Sequence, residues 1–160
     1  MDHLWSPWRY QYVTKAAPRG GCVFCEKAQA GDDAEALVVF RGEWNYVLLN
    51  LYPYTNGHIM IAPYEHVDTL AGARAETAAE MMELARRGEA ILRRLYRPQG
   101  INLGMNLGEC AGAGVAGHIH MHLLPRWTGD ANFMSVIGET RVHIEELSVT
   151  REKIAAAFRQ

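Results

Sequence analysis

A chain of 160 residues fits one compact domain and leaves little room for two. With 49% apolar residues it has material for a core, and a formal net charge of -2 supplies no basic stripe for a nucleic-acid backbone. No apolar run approaches the ~20 residues that cross a bilayer. Met1-Asp2-His3-Leu4-Trp5 also lacks the basic-then-apolar leader pattern, so the expectation is a cytoplasmic protein without nucleic-acid or membrane partners.

Residues 1–20 carry Trp5, Trp8, Arg9, Tyr10 and Tyr12, an aromatic and basic arm able to cover a groove or pack on a partner subunit. The rest reads as a single domain with no internal repeat or linker. Pro18-Arg19-Gly20-Gly21 is a loop leading into the pair Cys22 and Cys25. Three cysteines are an odd number and poor material for a disulfide framework. A CxxC pair in such a chain suggests metal or redox chemistry, and no thioredoxin-like βαβ unit surrounds it to favour redox. Cys110 stands alone and reads as a small packing or loop residue.

A short helix is expected after Cys25, ending near Gly31. Apolar, β-branched runs at 36–40 and 45–49 predict two strands joined by Arg41-Gly42-Glu43. Pro53 to Gly57 is a second turn, and His58 to Ala62 a third strand closed by Pro63. Leu70, Met81, Met82, Leu84, Ala85, Ile91, Leu92 and Leu95 recur at helical spacing. They predict a long helix from about Glu76 to Tyr96 with Pro98 beyond its end, its apolar stripe facing the core. Ile101 to Leu107 alternates as a fourth strand, a loop containing Gly108, Gly112, Gly114 and Gly117 follows, and His118 to Leu124 is the fifth strand. A last helix is expected over about Thr150 to Phe158. The pattern is α+β: a meandering antiparallel sheet of about five strands with helices on one side.

His118-Ile119-His120-Met121-His122-Leu123-Leu124 carries the most chemistry. Strand side chains alternate faces, so the three histidines share one face and Ile119, Met121 and Leu123 the other. Three imidazoles are costly to bury without partners. Alternating histidines can chelate zinc, or a neutral imidazole can act as a nucleophile. The loop directly upstream favours the second. Rich in glycine and alanine, it can bring backbone N–H groups close to phosphate oxygens. Joined to the histidines, it makes a phosphate site facing a nucleophile.

HxHxHxx with apolar intervening residues, here His118 to Leu124, resembles the signature of the histidine triad (HIT) superfamily. Asn50 to Pro63, NLYPYTNGHIMIAP, is similar to the family's strand-turn-strand with its Gly-His, here Gly57-His58. Asn106 sits where the family has an Asn before the glycine loop, and the stretch from Asn106 to Phe133 looks most like the bacterial branch that includes diadenosine tetraphosphate phosphorylases. The resemblance covers roughly residues 20–140. It implies a HIT-like fold, an antiparallel sheet of about five strands with a long helix and a C-terminal helix, as a homodimer acting on a purine nucleotide.

It also implies a mechanism. The middle histidine, His120, attacks an α-phosphorus and forms a nucleotidyl-histidine. His122 contacts the α-phosphate or helps protonate the leaving group. His58 hydrogen-bonds to the triad histidines from the next strand. Asn50 binds ribose hydroxyls, and Asn106 with the N–H groups near Gly114 and Val115 holds phosphate oxygens. Tyr46 to Leu49 and Ile61 line a base pocket. Trp127 stacks on a base, closes the site, or simply packs. Relatives with a structural zinc hold it by a CxxC, a histidine after the Gly-His strand and the first triad histidine, positions matched by Cys22, Cys25, His66 and His118. No organic cofactor is implied. Many relatives place a Ser or Gln shortly before the triad, whereas Gly114, Val115, Ala116 and Gly117 offer backbone alone. That space suits inorganic phosphate as acceptor, with Arg126 as a candidate partner.

The favoured expectation is phosphorolysis of diadenosine polyphosphates through nucleotidyl-His120. Hydrolysis of adenosine polyphosphates or nucleotide conjugates, phosphoramidates included, is the alternative within the same chemistry. A non-catalytic purine-nucleotide-binding regulator is a third reading, opposed by the intact triad. A zinc hydrolase using the triad as its metal site is a fourth, opposed by the lack of a nearby carboxylate base.

Overall fold

The computed structural model describes residues 21–130 and 145–160. The aromatic and basic arm at 1–20 and the end of the stretch reaching Phe133 lie outside the described residues.

Five strands form one antiparallel sheet in the order β1-β2-β3-β5-β4. They are β1 (Val38–Arg41), β2 (Asn45–Leu49), β3 (Ile59–Pro63), β4 (Gly100–Met105) and β5 (Met121–Arg126). Every residue of β2 and β3 is buried, which is why they read as unbroken apolar runs. Among the described residues the α-helices are α1 (Val23–Ala28), α2 (Ala75–Tyr96) and α3 (Leu147–Phe158). Helix α1 starts before Cys25 and ends short of Gly31.

The two long helices share one face of the sheet. Val47, Leu49, Ile59, Ile61, Met121 and Leu123 meet Met81, Leu84, Ile91 and Leu92 of α2 and Ile154 and Phe158 of α3 there. Along α2 the buried positions run Thr77, Met81, Leu84, Ala85, Gly88, Ile91 and Leu92. Met82 and Leu95, expected in the stripe, are exposed, and Leu70 precedes the helix and is exposed too. Met82 lies one residue, about 100° of rotation, past Met81, enough to leave the buried face. Gly88 lets α2 approach the sheet, since a methyl there would stand 3.0 Å from Ile59 Cδ1. Beyond the helix, Arg97 adopts a left-handed conformation before Pro98.

The expectation of helices on one side needs correction. Helix α1 belongs to a second apolar cluster, in which Phe24 packs with Val38, Tyr46, Leu48, Met60 and Ala62. Those strand residues alternate with the ones facing α2, so α1 covers the opposite face. Tyr46 donates its hydroxyl to the Phe24 carbonyl at 2.7 Å and pins it there.

The fifth strand begins later than its sequence suggests. The β3–β5 ladder runs from Ile59↔Leu123 to Ile61↔Met121. Upstream, the Ile119 N–H donates to Val67 O at 2.8 Å instead of to β3. Pro63 ends β3 with no N–H to offer a ladder. The alternation of faces nonetheless persists: Ile119 joins the core with Met121 and Leu123, while His118 and His120 are buried on the α1 side.

Candidate active site and metal centre

On the α1 face the register sets the layout. Met60 pairs with His122, and His122 with Gly104, so these three stand side by side across β3, β5 and β4. One step beyond the pair Met105↔Met121 come Asn106 and His120. Phe24 lies 4.6 Å from the His120 ring and 5.2 Å from the His118 ring, centroid to centroid. The row continues through His120–His122 at 4.9 Å and His122–His58 at 5.1 Å to Tyr54, 4.8 Å from His58.

Hydrogen bonds assign the protons along this row. The Tyr54 backbone N–H donates to His58 Nδ1 at 3.1 Å. His58 Nε2 therefore carries its proton and donates to His122 Nδ1 at 2.9 Å. That leaves the His122 proton on Nε2. His120 Nδ1 stands 2.9 Å from the His118 carbonyl and must donate to it, so His120 Nε2 is a bare lone pair. A bare ring nitrogen, of the kind that can act as a nucleophile, and an N–H donor thus sit on neighbouring rings.

Burial keeps these groups neutral. It lowers the pKa of His120, against the opposing hydrogen bond to His118. Burial and then the charge of His120 push His122 down to about 4. Both rings are unprotonated at neutral pH.

Asn50 donates its N–H to His58 O at 3.1 Å and accepts the Tyr52 N–H on Oδ1 at 2.9 Å. Its Nδ2 lies 3.5 Å from His58 Nδ1. Asn50 thus shapes the turn that holds His58. Asn106 donates weakly to Gly112 O at 3.5 Å. The loop turns at Gly108 and Gly112, with φ of 86° and 89°, conformations that favour glycine. Among the described residues no hydrogen bond within the protein occupies the amides of Gly114, Val115, Ala116 or Gly117.

Three expectations fall outside this cluster. Trp127 lies beyond the opposite end of β5, seven residues past His120, or about 20 Å at strand rise. Arg126 is held bidentately by Asp130 at 2.6 and 2.8 Å and reaches Asn102 at 2.6 Å, so its guanidinium is committed away from the histidines. Val47, Leu49 and Ile61 face the helix-side core, and Tyr46 and Leu48 are fully buried beneath α1, so none of the five lines an open base pocket. Conversely, Phe24 and Tyr54 carry positioning roles that the sequence reading missed. Their signals were their places, inside the CxxC and inside the turn before Gly57-His58.

A second cluster adjoins the first. Cys22, Cys25, His66 and His118 present ligand atoms within 4.8 Å of one another and could hold a metal ion. Cys22 Sγ and Cys25 Sγ lie 3.3 and 3.6 Å from His118 Nδ1, and Cys25 Sγ is 3.3 Å from His66 Nδ1. A tetrahedral zinc would place its sulfur and nitrogen ligands about 3.6 Å apart, given its usual bond lengths. His118 Nε2 donates to Pro63 O at 3.0 Å, which turns the bare Nδ1 toward the thiols. Burial and Cys22 push the Cys25 thiol up, an effect that a bound cation reverses. The donor set fits the metal.

The HIT domain family model matches residues 32–129. The chain belongs to the HIT family. Among HIT relatives, it is 39% identical over 99% of its length, and 85% of the relative's, to a protein of Mycobacterium tuberculosis named AP-4-A phosphorylase. It is 31% identical, over 72% of its length and 77% of the relative's, to Protein hit of Bacillus subtilis. Among solved HIT structures, a Zn-bound histidine triad family protein from Mycobacterium smegmatis matches at TM-score 0.68 and 25% identity, covering 87% of this chain and 94% of that one.

Proposed function

We propose that this HIT protein is a dinucleoside polyphosphate phosphorylase that works through a nucleotidyl-His120 intermediate. The observation that carries the reading is the pair of fixed tautomers: a bare Nε2 on His120 beside an Nε2–H on His122. His120 Nε2 attacks the α-phosphorus of diadenosine tetraphosphate. A P–N bond forms, the Pα–O bond to the rest of the chain breaks, and ATP departs as the anion, its leaving oxygen accepting a hydrogen bond from His122 Nε2–H. The four amides from Gly114 to Gly117 hold the phosphoryl oxygens without reorganising. Inorganic phosphate, hydrogen-bonded to His122, then attacks the same phosphorus, the P–N bond breaks to free His120, and the product leaves as ADP with the phosphate's proton on its terminal phosphate or released to water. The backbone-only loop gives that acceptor room, and similarity to a protein named AP-4-A phosphorylase supports the choice.

His58 holds His122 in its tautomer, and Asn50, beside His58, reaches the ribose. Asn106, next to His120, joins the amides on the phosphate. Trp127, beyond the far end of β5, meets the substrate only at a part remote from the phosphorus that His120 attacks. Cys22, Cys25, His66 and His118 hold a structural zinc, as the donor set and the Zn-bound neighbour support. When bound, that metal fixes α1 and the His118 backbone; the transfer itself rests on imidazoles. The protein works as a homodimer in the cytoplasm. Strand β4 is a sheet edge with Asn102, Leu103 and Gly104 exposed, which supports pairing with a second copy. Among the described residues no helix is long and apolar enough to cross a membrane.

The test is to supply diadenosine tetraphosphate and vary phosphate. Phosphorolysis yields ADP plus ATP at a rate that rises with phosphate. AMP plus ATP at a rate indifferent to phosphate would make water the acceptor and overturn the reading.

A further inference from the structure

The transfer to His120 fixes where the departing half of the substrate must go. In-line displacement puts the leaving oxygen opposite the attacking nitrogen, and His122 is the donor beside it. Beyond His122 the surface opens in a specific way. On the β4 side its neighbour is Gly104, where a methyl group would meet no other atom within 4 Å. On the other side the ring of Tyr54 lies nearly parallel to the imidazole of His122, at 20° and 6.1 Å between centroids. Tyr54 is 45% exposed, and Tyr52, two residues earlier on the same turn, is 63% exposed. Both rings are thus part-exposed at the exit of a phosphate site. Aromatic faces stack on nucleobases with little preference among them.

We propose that Tyr54 and Gly104 form a subsite for the leaving nucleotide: Gly104 keeps the floor clear for the polyphosphate, and the ring of Tyr54 carries the second nucleoside. This rests on the phosphorylase reading above and adds to it a reason for preferring a dinucleotide. The Tyr54 backbone N–H serves His58 whatever the side chain, so replacing the ring leaves that hydrogen bond available. Gly104 has room for a larger residue, so a side chain added there fills the floor rather than the core.

The experiment compares two substrates that share the transferred AMP. One is diadenosine tetraphosphate, and the other is adenosine 5′-phosphofluoridate, whose leaving group is a single atom. For wild type, Tyr54→Leu, Tyr54→Trp and Gly104→Val, the readout is the ratio of kcat/KM for the dinucleotide to kcat/KM for the fluoridate. Tyr54→Leu and Gly104→Val should each lower that ratio by roughly tenfold, mainly through KM for the dinucleotide, and Tyr54→Trp should largely keep it. An unmoved ratio in Tyr54→Leu, or in Gly104→Val if the first variant does not fold, overturns the subsite alone. Wild-type protein that turns over the fluoridate but not the dinucleotide overturns the phosphorylase reading and the subsite together.

Discussion

The carbonyl of His118 accepts the Nδ1–H of His120 at 2.9 Å, while the His118 ring presents its own Nδ1 to Cys22 at 3.3 Å. One residue therefore serves both centres. Its side chain belongs to the cluster that could hold a metal, and its backbone fixes the tautomer of His120, the proposed nucleophile. Phe24, between the two cysteines, packs on both rings and ties the centres together a second time.

Removing the metal should therefore reach the chemistry. Protein stripped with a chelator is expected to lose roughly tenfold or more in turnover, and to unfold at lower temperature, with both restored by zinc. Metal content by elemental analysis, run beside turnover and a thermal melt, checks this. Full activity at less than a tenth of a metal ion per chain, roughly the limit of a meaningful assay, would detach the two centres.

His120→Ala should abolish turnover by several orders of magnitude while leaving nucleotide binding and fold largely intact. Its Nε2 is the bare nitrogen of the row, since its Nδ1–H is held by the His118 carbonyl. Single-turnover kinetics with isothermal binding of a nucleotide separates the effects. A residual rate above about a tenth of wild type would put the nucleophile elsewhere.

Acid should weaken the fold through His122. Its folded pKa is depressed from 6.5 to about 4 by burial and by the charge of His120. As pH falls the unfolded chain takes up the proton first, so the native state loses stability between about pH 6.5 and 4. The contribution lost is up to about 3 kcal/mol. Urea midpoints at pH 7 and 4.5 for wild type and His122→Gln provide the check. The variant should lose less on acidification, and identical losses would rule His122 out as the cause.

Glu80 tests the scaffold apart from the chemistry. Its carboxylate accepts the backbone N–H groups of Glu43, Trp44 and Asn45 at 2.6, 2.8 and 2.7 Å, and Asn45 Nδ2 at 2.8 Å. Burial raises its pKa, but these donors outweigh it and the net shift is downward. Glu80→Ala should cost about 2 kcal/mol, because the β1–β2 turn keeps donors without an acceptor. Denaturant unfolding measures it, and a loss below about 0.5 kcal/mol would show water substituting freely.

The central strands and α2 were legible because burial imposes their patterns directly: both faces for β2 and β3, one stripe for the helix. The histidine face was legible for the same reason, since Ile119, Met121 and Leu123 had to go to the core. What could not be read was where pairing stops. The fifth strand loses its partner at Pro63, and the amide of Ile119 turns to Val67, a contact between distant segments. Nor could the commitment of Arg126 be read, because Asp130 competes for it within the same turn. Nothing in the CxxC itself marks Phe24, whose role comes from the fold setting it against His118 and His120.

The contact between Cys22 and His118 joins residues 96 apart in sequence. Closing so long a loop costs entropy that only an already formed sheet can offset. Helix α1, six residues long and without a side-chain cap, cannot stand alone in water before that closure. Helix α1 and the cluster of cysteines and histidines thus depend on contacts that the rest of the fold supplies. A chain emerging from synthesis therefore cannot close that cluster until residue 118 has been made and has come back to Cys22.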